Sequence, residues 1–247
     1  MSNALIGVLV TVVLVVAAAA ARRRKRLSRI QSVATGIETL RRMSTRETRR
    51  RKPGPGDALS GEQLAIYDTN TREMQSAGLT VLGDQLEEQD DGSPAGTSRW
   101  FVDASGTIGG WFGAVPVRRS PGTFRTLMLF FSESENGQFL TTSRGAPELG
   151  IARPPTLHRQ FVAWNEGIPR ALERHRSLIE STAGGGAVLR RVATLDDVLA
   201  LLARHRRHIA DWRAKQPPDA LAEADARNVL RDRYGELGPQ VLACLRR

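Results

Sequence analysis

Apolar positions along the chain change spacing several times, and each change predicts an element. Ala4 to Ala21 is an 18-residue run with no charge and one hydroxyl, Thr11. As a helix it would extend about 27 Å, close to the ~30 Å of a hydrocarbon core. Leu27, Ile30, Val33 or Ala34, Ile37 and Leu40 then recur at the spacing of one helical face, with most arginines off that stripe. Lys52-Pro53-Gly54-Pro55-Gly56-Asp57 breaks the helix and sets a boundary.

Beyond it, Ser60 and Gln63 form a capping-box pattern. Leu64, Tyr67, Thr71 and Met74 follow on one face, and Gly78 closes the helix. Strands are predicted at Leu79 to Leu86, Trp100 to Val102, Thr107 to Phe112, Phe124 to Phe131 and Gln138 to Ser143. Asp90 to Pro94 reads as an exposed loop. Asp103 to Gly106 and Asn136-Gly137 read as hairpin turns. Leu127 to Phe131 is apolar on both faces, which predicts a central strand.

After Pro154-Pro155, Thr156 is expected to cap a helix to about Trp164, and Gly167-Ile168-Pro169 to start another to about Ile179. Gly184-Gly185-Gly186 reads as a break, and Ala187 to Val192 as a further strand. Thr194 caps a long helix to about Ala214, stopped by Pro217-Pro218. A last helical stretch with Leu221, Val229, Leu230 and Tyr234 is expected to be interrupted at Gly238-Pro239. The fold class is therefore α+β: an N-terminal transmembrane helix, then an antiparallel sheet of four to five strands flanked by helices, with a helical C-terminal part. The divisions are 1–3, a short tail; 4–21, the membrane helix; 22–57, a basic helix and linker; 58–183, the α+β domain; and 184–247, its helical end.

Charge sharpens this picture. The net charge is +10, yet residues 1–52 carry 13 basic and two acidic side chains, and the remainder 23 basic against 24 acidic. The folded part is neutral, which speaks against a nucleic-acid-binding domain and moves the basic signal beside the hydrophobic run. Three lysines against 33 arginines fit the codon bias of a GC-rich bacterial genome. Arg22-Arg23-Arg24-Lys25-Arg26 follows the run directly, while Met1-Ser2-Asn3 has no charged side chain. That asymmetry favours an anchor with its N-terminus outside and the domain in the cytoplasm, at the inner membrane. A cleaved leader would carry its charge first, although Ala17 to Ala21 resembles a cleavage region.

Arg22, Arg23, Arg24, Lys25, Arg26 and Arg29 are candidates to face anionic headgroups. A short coiled-coil stalk and a solvated spacer explain the same stripe. Arg49 to Lys52 has the look of a nucleic-acid patch, but such runs are common near anchors.

Catalytic and metal motifs are weak. His158, Glu166, Glu173 and His175 could converge for acid–base chemistry if two short helices fold back, beside Thr141, Thr142 and Ser143. His205 and His208 have the helical spacing of a metal pair without a third ligand nearby, and a structural role is the better account. Thr107-Ile108-Gly109-Gly110 lacks the lysine of a phosphate loop and reads as strand packing. Cys244 is alone, so no intrachain disulfide or cysteine metal site can form. Arg174-His175-Arg176 and Arg204-His205-Arg206 resemble each other over too few positions to mark a repeat. No metal or cofactor is expected. The function expected is a membrane-anchored interaction module with an unidentified protein partner. An enzyme using His158 and His175, or a lipid or nucleic-acid binder acting through 22–52, are the alternatives.

Overall fold

The structure, a computed structural model, describes residues 24–42, 49–54, 59–88, 94–116, 124–144, 150–183 and 188–246. Those residues fall into two compact units. One contains 24–42, 150–152 and 215–246; the other contains 49–144 and 153–214 as far as described.

The larger unit is a seven-stranded sheet with strands in chain order: β1 (Arg49–Arg51), β2 (Leu79–Glu88), β3 (Pro94–Asp103), β4 (Gly109–Pro116), β5 (Phe124–Glu133), β6 (Phe139–Arg144) and β7 (Leu157–Val162). Neighbours from β1 to β6 are antiparallel, and β7 runs parallel to β6. The mixed α+β class is as expected, but seven strands replace four to five. The two additions are β1, within the basic run, and β7, where a helix from Thr156 was expected. Thr156 cannot serve as a cap: its carbonyl accepts from Phe139 N and its hydroxyl bonds His208. Residues 157–162 instead alternate between the two faces and pair with β6.

The turns follow local chemistry. Asp103 Oδ1 accepts from Thr107 N and Ile108 N, both at 2.9 Å, and Gly106 takes φ +74°. Gly137 takes φ +81° between β5 and β6. Gly109 and Gly110 confirm strand packing, because a side chain at Gly109 would overlap the Phe131 ring and one at Gly110 would press on Phe130 at 3.2 Å.

Alternation on β5 divides the core. Met128 and Phe130 join Tyr67 and Met74 of α2 (Gly61–Ser76) and Ile168, Ala171 and Leu172 of α3 (Ile168–Ala183). Phe131 and Leu129 face the other way, toward Val198, Leu201 and Leu202 of α4 (Leu195–Ala214). Helices therefore cover both faces, as a doubly apolar central strand requires. The capping box at Ser60 and Gln63 is present. Leu64, expected on the buried face of α2, is instead 48% exposed, and Asn70 is enclosed with Tyr67 and Met74. The strand expected at 187–192 is reduced, in its described part, to one bridge between Ser134 and Leu189.

The smaller unit packs a helix at 24–42, here α1, against α5 (Pro218–Leu230) and α6 (Tyr234–Leu245). Ile30 and Ile37 of α1 meet Ala226, Leu230, Leu237 and Val241. Asp225, wholly buried, accepts from Arg41 Nε at 2.7 Å and from Ala152 N at 2.6 Å, tying three chain segments together. The helical end expected at 184–247 is thus split: α4 belongs to the sheet unit, and α5 and α6 to this one. Gly238-Pro239 does not interrupt the helix. The break comes earlier, at Arg231 with φ +51°, and Gly238 leaves room for the Tyr234 ring over the α6 backbone. Among the described residues no helix is long and apolar enough to cross a membrane. The run 4–21, Gly184 to Gly186 and the loop residues 90–93 lie outside the described residues.

Candidate functional site

His175 stands seven residues after Ile168 on the buried stripe of α3, which carries it against β5 and β6 with no exposed surface. Its Nε2 lies 3.1 Å from Ser132 Oγ and its Nδ1 3.0 Å from Thr142 Oγ1. Ser132 Oγ donates its proton to Thr107 O at 2.8 Å. The serine must therefore accept from His175 Nε2–H, which leaves Nδ1 to accept from Thr142; this network assigns the tautomer. Burial drives the imidazole pKa down to about 3, opposed only in part by Asp103. His175 is a neutral link between α3 and the sheet. The Ser132–His175 distance would suit a nucleophile and base, but the serine proton already faces a carbonyl and both side chains are sealed from solvent.

The remaining acid–base candidates are placed separately. His158, half-buried on β7, is registered against Leu140, and its carbonyl accepts from Thr141 Oγ1. Glu166 closes the turn before α3: Oε1 accepts from Ala163 N and Oε2 from Arg174 Nε at 3.2 Å. Exposed Glu173 accepts from Arg170 at 2.6 Å. Of the neighbouring hydroxyls, Thr142 meets His175, while Thr141 and Ser143 alternate to the opposite face of β6. No hydrogen bond or ion pair joins His158 to Glu166, Glu173 or His175 among the described residues.

On the α4 side, His205 and His208 flank the Phe139 ring at 5.1 and 5.5 Å between centroids. His208 Nε2 bonds Thr156 Oγ1 at 2.6 Å, whereas His205 Nε2 is buried without a partner. Burial, with the charges of Arg159, Arg206 and His208, lowers the His205 pKa to about 4. Arg153, also lowered to about 10 by burial and by Arg159, extends this positive region. The two imidazoles address different partners, and no group of three metal-binding side chains occurs among the described residues. The helical spacing pointed to the two histidines; Arg159 went unnoticed because its strand was read as helix.

The basic segment divides in two. Arg24, Lys25, Arg26 and Arg29 are exposed on α1, and Arg26 donates to Glu236 O at 3.3 Å. Below them Ile30, Val33 and Ile37 of the apolar stripe pack against α5 and α6, whereas Leu27 is exposed. Arg22 and Arg23 lie outside the described residues. On β1, Arg50 pairs with Glu87 at 2.9 Å and lies over the Trp100 ring, while Arg51 pairs with Glu88 at 2.8 Å. Cross-strand carboxylates thus neutralise part of the run that resembled a nucleic-acid patch. Sequence reasoning also missed Glu133, a buried carboxylate held by Arg204 at 2.6 Å and Arg190 at 3.3 Å.

No protein-family model, curated protein or solved structure matches the chain.

Proposed function

We propose that the chain is a single-pass membrane protein whose α+β unit serves at the cytoplasmic face as a non-enzymatic interaction module. The observation that carries this reading is the uncharged run 4–21 set immediately before a basic helix start. Every residue from 24 to 29 is exposed, four of them cations, and Leu27 is 52% exposed beside them. Cations next to an apolar run remain on the cytoplasmic side and sit at headgroup depth. The same four side chains suit anionic headgroups as a secondary contact, through charge rather than through the stripe covered by α5 and α6. The histidine-based enzyme reading draws no support from His175, whose nitrogens are both engaged in a sealed network.

Membrane fractionation with protease treatment of outer-membrane-permeabilised cells tests the proposal. The chain should stay in the membrane fraction with its domain protected, and removing 4–21 should release it. Digestion of the domain, or a soluble product shortened near Ala21, would overturn the topology. Replacing Arg24, Lys25, Arg26 and Arg29 with Glu should lower the fraction inserted in this orientation.

A further inference from the structure

The two edge strands of the sheet are guarded differently. β1 consists of three arginines and is followed at once by Lys52-Pro53. Shortness, charge and proline all discourage the addition of a further strand. The β7 strand contains neither proline nor glycine, and its register with β6 runs without a shift from Leu157 to Val162. Phe139 N donates to Thr156 O, and the Thr141 hydroxyl reaches His158 O, so the even-numbered backbone groups face β6. Those of Arg159 and Phe161 therefore point away from the sheet, and no backbone group pairs with them among the described residues. They form a regular, unpaired ladder edge.

Side chains along this edge select what can join it. Arg159 is exposed, pairs with no carboxylate among the described residues and lies over the Phe161 ring at 5.8 Å. Trp164, just past the strand, is 44% exposed. Arginine and aromatic side chains are those that most often carry binding energy at interfaces. The Arg159 charge disfavours the protonated forms of both Arg153 and His205, so the α4 side of the edge is electropositive. A second copy pairing antiparallel through β7 would set the two Arg159 side chains opposite or diagonal to each other, where like charges repel. An acidic strand meets attraction at the same position.

We propose that an extended acidic segment of a partner protein adds to the sheet beside β7, held by the outward backbone groups of Arg159 and Phe161 and by the Arg159 charge. This partner class rests on the reading of the unit as an interaction module. Binding to the purified chain says nothing of the anchor, so its failure and a failure of the topology are read separately, the latter by fractionation. Fluorescence anisotropy on the full chain in detergent, with a labelled octapeptide of alternating Glu and Val, tests the proposal. The probe should bind saturably with a Kd below ~1 mM, and Arg159→Glu should weaken it about tenfold or more. Methylating every backbone nitrogen of the probe should abolish binding by removing its ladder donors. Phe161→Pro removes one outward N–H while sparing the bonds to β6, and should abolish binding too. Circular dichroism checks both variants, and Arg159→Glu, at an exposed position, carries the test if Phe161→Pro fails to fold. Absence of saturable binding up to ~1 mM would overturn the proposal. So would equal binding of an octapeptide of alternating Lys and Val, or binding that survives methylation. A dimer in sedimentation velocity that Phe161→Pro dissociates would give the edge to a second copy and overturn it as well.

Discussion

Under α2 and α3, the sheet encloses His175 with both ring nitrogens bonded, whereas under α4 the Nε2 of His205 is buried without a partner. The first face contains the larger aromatic cluster, built from Tyr67, Phe101, Phe112 and Phe130, and its enclosed histidine adds bonds to that packing. Its exception is Arg144 Nε at the margin. The second face has one covering helix and a cluster of cations near its β7 end. The contrast teaches that a buried imidazole ties helix to sheet where both of its nitrogens are bonded, and contributes only packing where one is left unpaired.

The largest test is truncation of the aromatic face. Phe130→Ala should cost ~3–5 kcal/mol in urea unfolding, against ~1–2 kcal/mol for half-buried Leu129→Ala on the α4 face. Equal losses would break the distinction.

The histidines sharpen it. His175→Ala should cost ~2–4 kcal/mol, because it empties a buried site, leaves the Thr142 hydroxyl without its acceptor and removes the donor to Ser132 Oγ. His205→Ala should cost about 1 kcal/mol, since only stacking on Phe139 and burial are lost.

Dependence on pH follows from both rings. Their folded pKa values, about 3 for His175 and about 4 for His205, lie below the unfolded value near 6.5. The unfolded chain therefore binds protons that the native state refuses. Stability from these groups is complete above about pH 6.5 and falls as pH drops, with a combined slope of about two protons between 6 and 4. Below about 4 His205 accepts its proton in place, and only His175 continues to oppose folding. Measured melting curves should lose one proton of slope in His175→Gln and one in His205→Gln; a parent slope unchanged by either substitution would contradict the burial of that ring.

The smallest effect belongs to Gln85→Met on β2, which should alter stability by less than ~0.5 kcal/mol, because the Gln85 side chain makes no hydrogen bond among the described residues and methionine keeps its volume. A clear loss would mean that the amide has a structural partner.

Much of the local structure was legible in the chain. Ser60 with Gln63, Asp103 to Gly106, Asn136-Gly137 and Thr194 all form the caps and turns that their residue types prescribe. The doubly apolar stretch of β5 was legible as a central strand for the same reason: alternation on each face needs no knowledge of the partner. Of the site residues, His205 and His208 were visible through helical spacing, and His175 was singled out without its role being evident, because Ser132 and Thr142 lie 43 and 33 residues away.

The amino-acid sequence by itself determined where helices cap, where hairpins turn and where charge is concentrated, because those properties depend on hydrogen bonds and dihedral preferences within a few residues. Tertiary structure alone decided that 157–162 extends the sheet in parallel, that the α1 stripe is covered by α5 and α6, and that Arg50 and Arg51 meet Glu87 and Glu88. In each case the deciding partner is distant in the chain, and local preference is too weak to resist the burial and pairing it provides.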